Sequence, residues 1–188
     1  MLTKTLRRLA AAAVALGASA ALLAPVPSAS AAPVAAAAPP PFPVVTFTHT
    51  QHKDWAKAVF AQINTERARN GLPALRWNEN LYYAAHRHTL LMGQAGTLSH
   101  QLPGEESLGT RITYFYRWSA VGENVAVSSQ RSQAGALALE SLMYAEVPPN
   151  DGHRRNILST TYTDVGVDVI DDATHGRVWL TTDFGRPR

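Results

Sequence analysis

The chain contains no cysteine in 188 residues. Disulfides are therefore excluded, and so is every thiolate zinc site, so any bound metal must be held by histidine and carboxylate. A cysteine nucleophile is excluded on the same ground. The sequence also lacks a Gly-x-Ser-x-Gly elbow and a His-Glu-x-x-His helix, the marks of common serine hydrolases and zinc proteases. Excess charge is missing where it would matter. Of 17 Lys+Arg, three (Lys4, Arg7 and Arg8) sit at the extreme N-terminus, and the remaining 14 balance 14 Asp+Glu. With no basic run left, there is no electrostatic basis for binding nucleic acid or an anionic membrane. The apolar run Leu9 to Leu23 is shorter than the ~20 residues a membrane span needs.

What is present begins with that run. Its basic flank, its apolar centre and the Ala29-Ser30-Ala31 step predict a secretory signal peptide over residues 1–31, and hence an extracellular protein with no transmembrane segment in the mature chain. Residues 32–50 are rich in Ala and Pro and read as an extended linker, with His49 and His52 at its end expected in solvent. Residues 51–188 are left as one domain of roughly 140 residues, enough to bury a core without cross-links.

Within that domain Trp55, Val59, Phe60 and Ile63 form one helical stripe, stopped by Asn70-Gly71 and Pro73. A second helix starts at the N-cap Asn78 and runs to about Gly93, with Leu81, Ala85, His88 and Met92 on its inner face. His88 is then a hydrogen-bonded core residue, and His86, round the helix, is wet. A short helix is expected over 107–116, a strand over 121–127 and a third long helix over 133–146. On that last helix Leu139, Leu142, Met143 and Glu146 share a narrow sector, and Glu140 lies a quarter turn outside it. Alternating Val165, Val167, Val169 and Val178, Leu180, Thr182 predict a hairpin, with His175 exposed in its turn.

Four residues stand out as site candidates. His100 follows a helix end in Leu98-Ser99-His100, where a loop histidine is either functional or ordinary surface. Glu123 sits in an apolar strand between Gly122 and Asn124, and is either solvent-facing or held by a partner. Glu146 faces inward at a helix end, unless fraying at Pro148 frees it. His153 lies in Pro148-Pro149-Asn150-Asp151-Gly152-His153, a break between helix and sheet where a side chain can face a cleft.

In this order the segments resemble the bacterial form of the CAP superfamily, the SCP-like extracellular domain. The resemblance rests on Ile63 to Leu75, Leu98-Ser99-His100, Gly122-Glu123-Asn124, Gly152-His153-Arg154-Arg155-Asn156-Ile157-Leu158 and Thr182-Asp183-Phe184-Gly185. It implies an α+β fold, a three-layer α-β-α sandwich with a central antiparallel sheet. It also implies a cleft lined by two histidines and two glutamates that in some members holds a divalent metal such as zinc. His100, Glu123 and His153 carry over directly. Glu146 matches through Met143-Tyr144-Ala145-Glu146, where a methionine replaces the family's tryptophan, and Glu140 is the reserve. The expected function is a secreted binding module for a lipid, glycan or peptide. The alternatives are a metal-dependent or acid/base hydrolase acting outside the cell, or a tetrad that only braces helix against sheet. Whether the protein is an enzyme stays open at this point.

Overall fold

A computed structural model describes residues 47–188; the expected signal peptide and most of the linker lie outside the described residues. The first long helix, α1 (Lys53–Arg69), buries Ala56, Val59 and Ile63 and ends before Gly71, whose φ of 69° gives the left-handed turn expected there. In α2 (Glu79–Ala95) the Asn78 side chain accepts hydrogen bonds from the Asn80 and Leu81 amides, and Gly96 closes the helix at φ 60°. Leu81, Ala85, His88 and Met92 are all fully buried, as the stripe required.

The sheet is built from β1 (His49–Gln51), β2 (Arg76–Trp77), β3 (Trp118–Ser128), β4 (Asp164–Asp172) and β5 (Arg177–Pro187), in the order β1-β4-β5-β3. All pairings are antiparallel except the two-residue contact of β2 with β4. Helix α2 and the short α3 (Leu108–Thr113) cover one face; α1, α4 (Gln133–Tyr144) and α5 (Gly152–Ile157) cover the other. This is the α-β-α sandwich. Because β4 and β5 are covered on both sides, their runs are buried almost without alternation. Val165, Val167 and Val169 pack toward α1, and Gly166 and Asp168 face α2. A Cβ on Gly166 would lie 2.0 Å from the Tyr82 backbone nitrogen, so that glycine sets how closely α2 lies on the sheet.

Arg67 ties the first helix to the far end of the fold. Its guanidinium is 1% exposed and donates to the carbonyls of Pro73, Ile157 and Ser159 at 2.8 to 2.9 Å. Two of these carbonyls lie at and just past the end of α5, which is otherwise short of partners.

Four expectations need correcting. The linker does not extend to residue 50: His49 and Thr50 already pair with β4, since an edge strand needs only backbone groups and no apolar pattern. His52 is not free in solvent either, because its ring stacks on Trp55 with centroids 3.6 Å apart. His86 is half-buried against the buried Asp168 and the exposed Gln51. On α4 the inward sector is Ala136, Leu139, Glu140 and Met143; Leu142 is 68% exposed and Glu140 is fully buried. The helix is turned so that Glu140 meets Glu66 of α1, and burial followed by the charge of Glu66 pushes the Glu140 carboxyl well above its ordinary range. A neutral acid can occupy an interior position that the sequence pattern denies to a carboxylate.

Candidate functional site

Strand β3 is an edge of the sheet, and the candidate site wraps around it. Alternation along β3 sends Glu123 toward α2 and Asn124 toward α5, so the two helical layers each approach the edge from their own side. From the α2 side comes the loop with His100. Its Nδ1 is 2.8 Å from Glu123 Oε1, and Glu123 Oε2 accepts from Arg111 at 2.6 Å. From the α5 side comes His153, whose Nδ1 lies 2.5 Å from Glu146 Oε1. The two rings face each other with centroids 6.5 Å apart. All four sequence candidates are thus brought together, as two His–Glu pairs. Glu140, the reserve, is elsewhere, between α1 and α4.

His153, expected in a loop, lies instead in the first turn of α5. The helix is only six residues long and carries no apolar period, so nothing in its pattern announces it. Its N-terminus is capped from outside: Glu146 Oε2 accepts from the amides of His153 at 3.0 Å and Arg154 at 3.4 Å. One carboxylate therefore holds both the ring and the main chain of His153. Burial works against the charge of Glu146, but the His153 bond and the two amides outweigh it and lower its pKa.

Amides lock α5 to the strand. Asn156 donates to the Glu123 carbonyl at 3.1 Å and to Asn124 Oδ1 at 2.8 Å, while Asn124 donates to the His153 carbonyl at 3.1 Å. Tyr162 covers the next outward carbonyl of the edge, that of Val121.

Beneath His100 lies a buried polar cluster that the sequence did not reveal. The His88 ring bridges two partners, with Nε2 2.8 Å from the Ser99 carbonyl and Nδ1 2.8 Å from Glu105 Oε1. Asp183, directly across the ladder from Glu123, is fully buried with neither oxygen hydrogen-bonded; burial, then the Glu123 charge, raises its pKa well above the usual range. The Glu123 hydrogen bond raises His100 above 6.5 despite partial burial. His88 itself is the buried, hydrogen-bonded residue its helical face required. Arg111 and Glu105 gave no signal, since each sits in a short or ordinary segment and acquires partners only through packing; Asp183 lies in a segment that carries the resemblance, but nothing in it marks the residue as part of this cluster.

Among the described residues no group of three or more His, Asp or Glu side chains is arranged to hold a metal ion. With each Nδ1 engaged by a carboxylate, Nε2 is the remaining donor or acceptor of each ring. Such an arrangement can shuttle a proton, bind an anionic or carbonyl group, or offer two nitrogens to a metal.

Comparison with known proteins gives the family and the fold. Residues 60–184 match the model of the CAP, or cysteine-rich secretory protein, family. The uncharacterised protein YkwD of Bacillus subtilis (strain 168) is 26% identical over 133 residues, 70% of this chain and 48% of YkwD. The chain thus spans about half the length of that curated relative. Among solved structures, an extracellular SCP-domain protein from Bacillus anthracis is 27% identical with a TM-score of 0.60, covering 71% of this chain and 41% of its own. An outer surface protein of Borrelia burgdorferi shares the fold at a TM-score of 0.63 and 17% identity, covering 75% of this chain and all of its own. No helix among the described residues is long and apolar enough to cross a membrane. Although it has no cysteine of its own, the chain belongs to the CAP, or cysteine-rich secretory protein, family.

Proposed function

We propose that this is a secreted binding module whose site at the β3 edge holds a divalent metal ion such as zinc between His100 and His153 and presents it to a lipid, glycan or peptide outside the cell. The observation that carries the reading is the double His–Glu pairing, with both Nδ1 atoms engaged by carboxylates and the rings 6.5 Å apart. A carboxylate on Nδ1 fixes the tautomer, makes the opposite nitrogen a better ligand and orients the ring. On this reading Glu123 and Glu146 serve the histidines and do not touch the metal.

The donor set fits with one adjustment. Two Nε2 atoms sharing one tetrahedral ion bring ring centroids to about 5.3 Å, so the rings must approach by about 1 Å. His100, with a side chain 58% exposed, has room to make that movement. Two imidazoles alone make a weak site with open positions, which suits a module that completes its metal shell with the ligand. When bound, the ion supplies a Lewis acid for a ligand oxygen. The hydrolase reading rests on the same groups, since His100, with its pKa raised by Glu123, can give a proton.

Calorimetric titration of the wild type with zinc is expected to show one site, and His100→Ala and His153→Ala each to lose at least tenfold in affinity. Equal affinity in wild type and His153→Ala overturns the metal site and leaves the tetrad as a brace. Incubation with peptidoglycan, lipid vesicles and peptides, with and without chelator, separates the two functions. Retention without product supports the module; product that disappears in both histidine variants makes the protein a hydrolase.

A further inference from the structure

The two histidines are held by the same plan, and the plan needs an extra residue on one side only. Glu146 reaches both the ring nitrogen and the backbone N–H of His153 directly. His100 instead turns its carbonyl inward, and a carboxylate cannot bond a carbonyl because both only accept. Arg111 fills that gap. Its Nη2 donates at 3.0 Å to the His100 carbonyl and at 2.6 Å to Glu123 Oε2, while Glu123 Oε1 takes the His100 ring. The circuit closes: His100 main chain, Arg111, Glu123, His100 ring. Arg111 is almost fully buried, and its nearest other anion is Glu105, 3.8 Å from Nη1.

Building on the function proposed above, we propose that Arg111 is a positioning residue of this site, setting the orientation and tautomer of the His100 ring by gripping Glu123 and the His100 main chain at one nitrogen. Neutralising the buried Glu123 is also part of its work, as for any buried carboxylate. The positioning role is the part that charge alone does not supply. A planar guanidinium fixes the angle between its two acceptors, and a lysine ammonium keeps the charge without that angle.

The test reads the ring nitrogens of metal-free protein by 15N–1H correlation at a pH where both rings are neutral. In the wild type both histidines are expected as Nδ1–H tautomers. In Arg111→Gln the His100 ring is expected to shift toward Nε2–H while the His153 ring, held by Glu146, keeps its signal. Arg111→Lys should lie between. A His100 signal unchanged in Arg111→Gln, or equal changes in both histidines, overturns the proposal, the second showing a general loosening. Should Arg111→Gln fail to fold, Arg111→Lys decides: a shift at His100 alone supports the proposal, and wild-type signals at both rings overturn it. Zinc affinity in Arg111→Lys is expected to fall by about 10- to 100-fold, the usual effect of disturbing a ligand's support. If the wild type binds no zinc, the metal reading fails while the tautomer measurement still decides the role of Arg111.

Discussion

Replacing Glu140 by Gln should stabilise the protein at neutral pH and do little in acid. Glu140 and Glu66 meet between α1 and α4, and three of their four carboxyl oxygens make no hydrogen bond; only Glu66 Oε1 has a partner, Gln62 at 3.0 Å. The other charges bearing on the pair are Arg69 of α1 and Arg154 of α5, both acting on Glu66 and neither strongly enough to cancel its burial. Burial first, then Glu66, raises the folded-state pKa of Glu140 well above normal. The sign follows from linkage. Between an unfolded value of about 4.3 and the raised folded value the native state binds the extra proton, so stability falls as pH climbs through that window. Each unit of the window costs about 1.4 kcal/mol. Glutamine has the same shape, cannot ionise and brings an amide able to donate to Glu66 Oε2. Relieving an orphaned buried group is worth about 1–3 kcal/mol, and that is the gain expected at pH 7. Urea unfolding of wild type and Glu140→Gln, followed by tryptophan fluorescence from pH 4 to 8, measures it. A variant less stable than wild type at pH 7.5, or a difference that does not change with pH, refutes the reasoning and means that an ionised Glu140 is held by something the fold does not supply.

Zinc affinity should weaken as pH falls, and because Glu123 raises the His100 pKa, the loss should begin above the ordinary histidine value of about 6.5; a titration series in buffered steps checks this. A chain beginning at Phe47 should melt cooperatively in EDTA, since the buried clusters on both faces of the sheet supply the core without a metal; unfolding on chelation alone, seen by circular dichroism, would give the site a structural role. Arg67→Met should cost about 3 kcal/mol in urea unfolding, because it strands three carbonyls that Arg67 now serves. N-terminal sequencing of exported protein should begin at Ala32 or Pro33, and a start at Met1 would defeat the signal-peptide reading.

Glu123 and His153 can be picked out in the sequence because each stands beside glycine or asparagine, and His100 because it lies just past a helix end, where side chains have room to meet. Glu146 is legible from its place near a helix end, although it acts one residue beyond the C-cap Ala145 and not from an inward helical face. Arg111 is not legible. Its partners are 11 and 12 residues away on a loop and a strand, and no spacing rule connects a six-residue helix to either. The error on α4 has a different origin. A pattern of apolar residues treats every glutamate as charged, so it places Leu142 inside and Glu140 out, whereas a carboxyl kept neutral by burial can go in and the leucine stay in water. Strand β1 escapes notice because backbone pairing leaves no trace in three polar residues.

The sheet is assembled out of order. β5 lies between β3 and β4 but follows both in the chain, and it supplies Asp183 across from Glu123. Until residues 177–187 are made, neither neighbour has its main partner, and the edge around which the site is built has nothing to rest on. Contacts this distant in sequence also make folding slow compared with helix formation. A chain threaded through a membrane from its N-terminus would therefore stay unfolded along its whole length and gain its two-histidine surface only after the last strand emerged. Removing residues from 177 onward should abolish the cooperative melt altogether, and a truncated chain that still unfolds in one sharp transition would contradict this order of events.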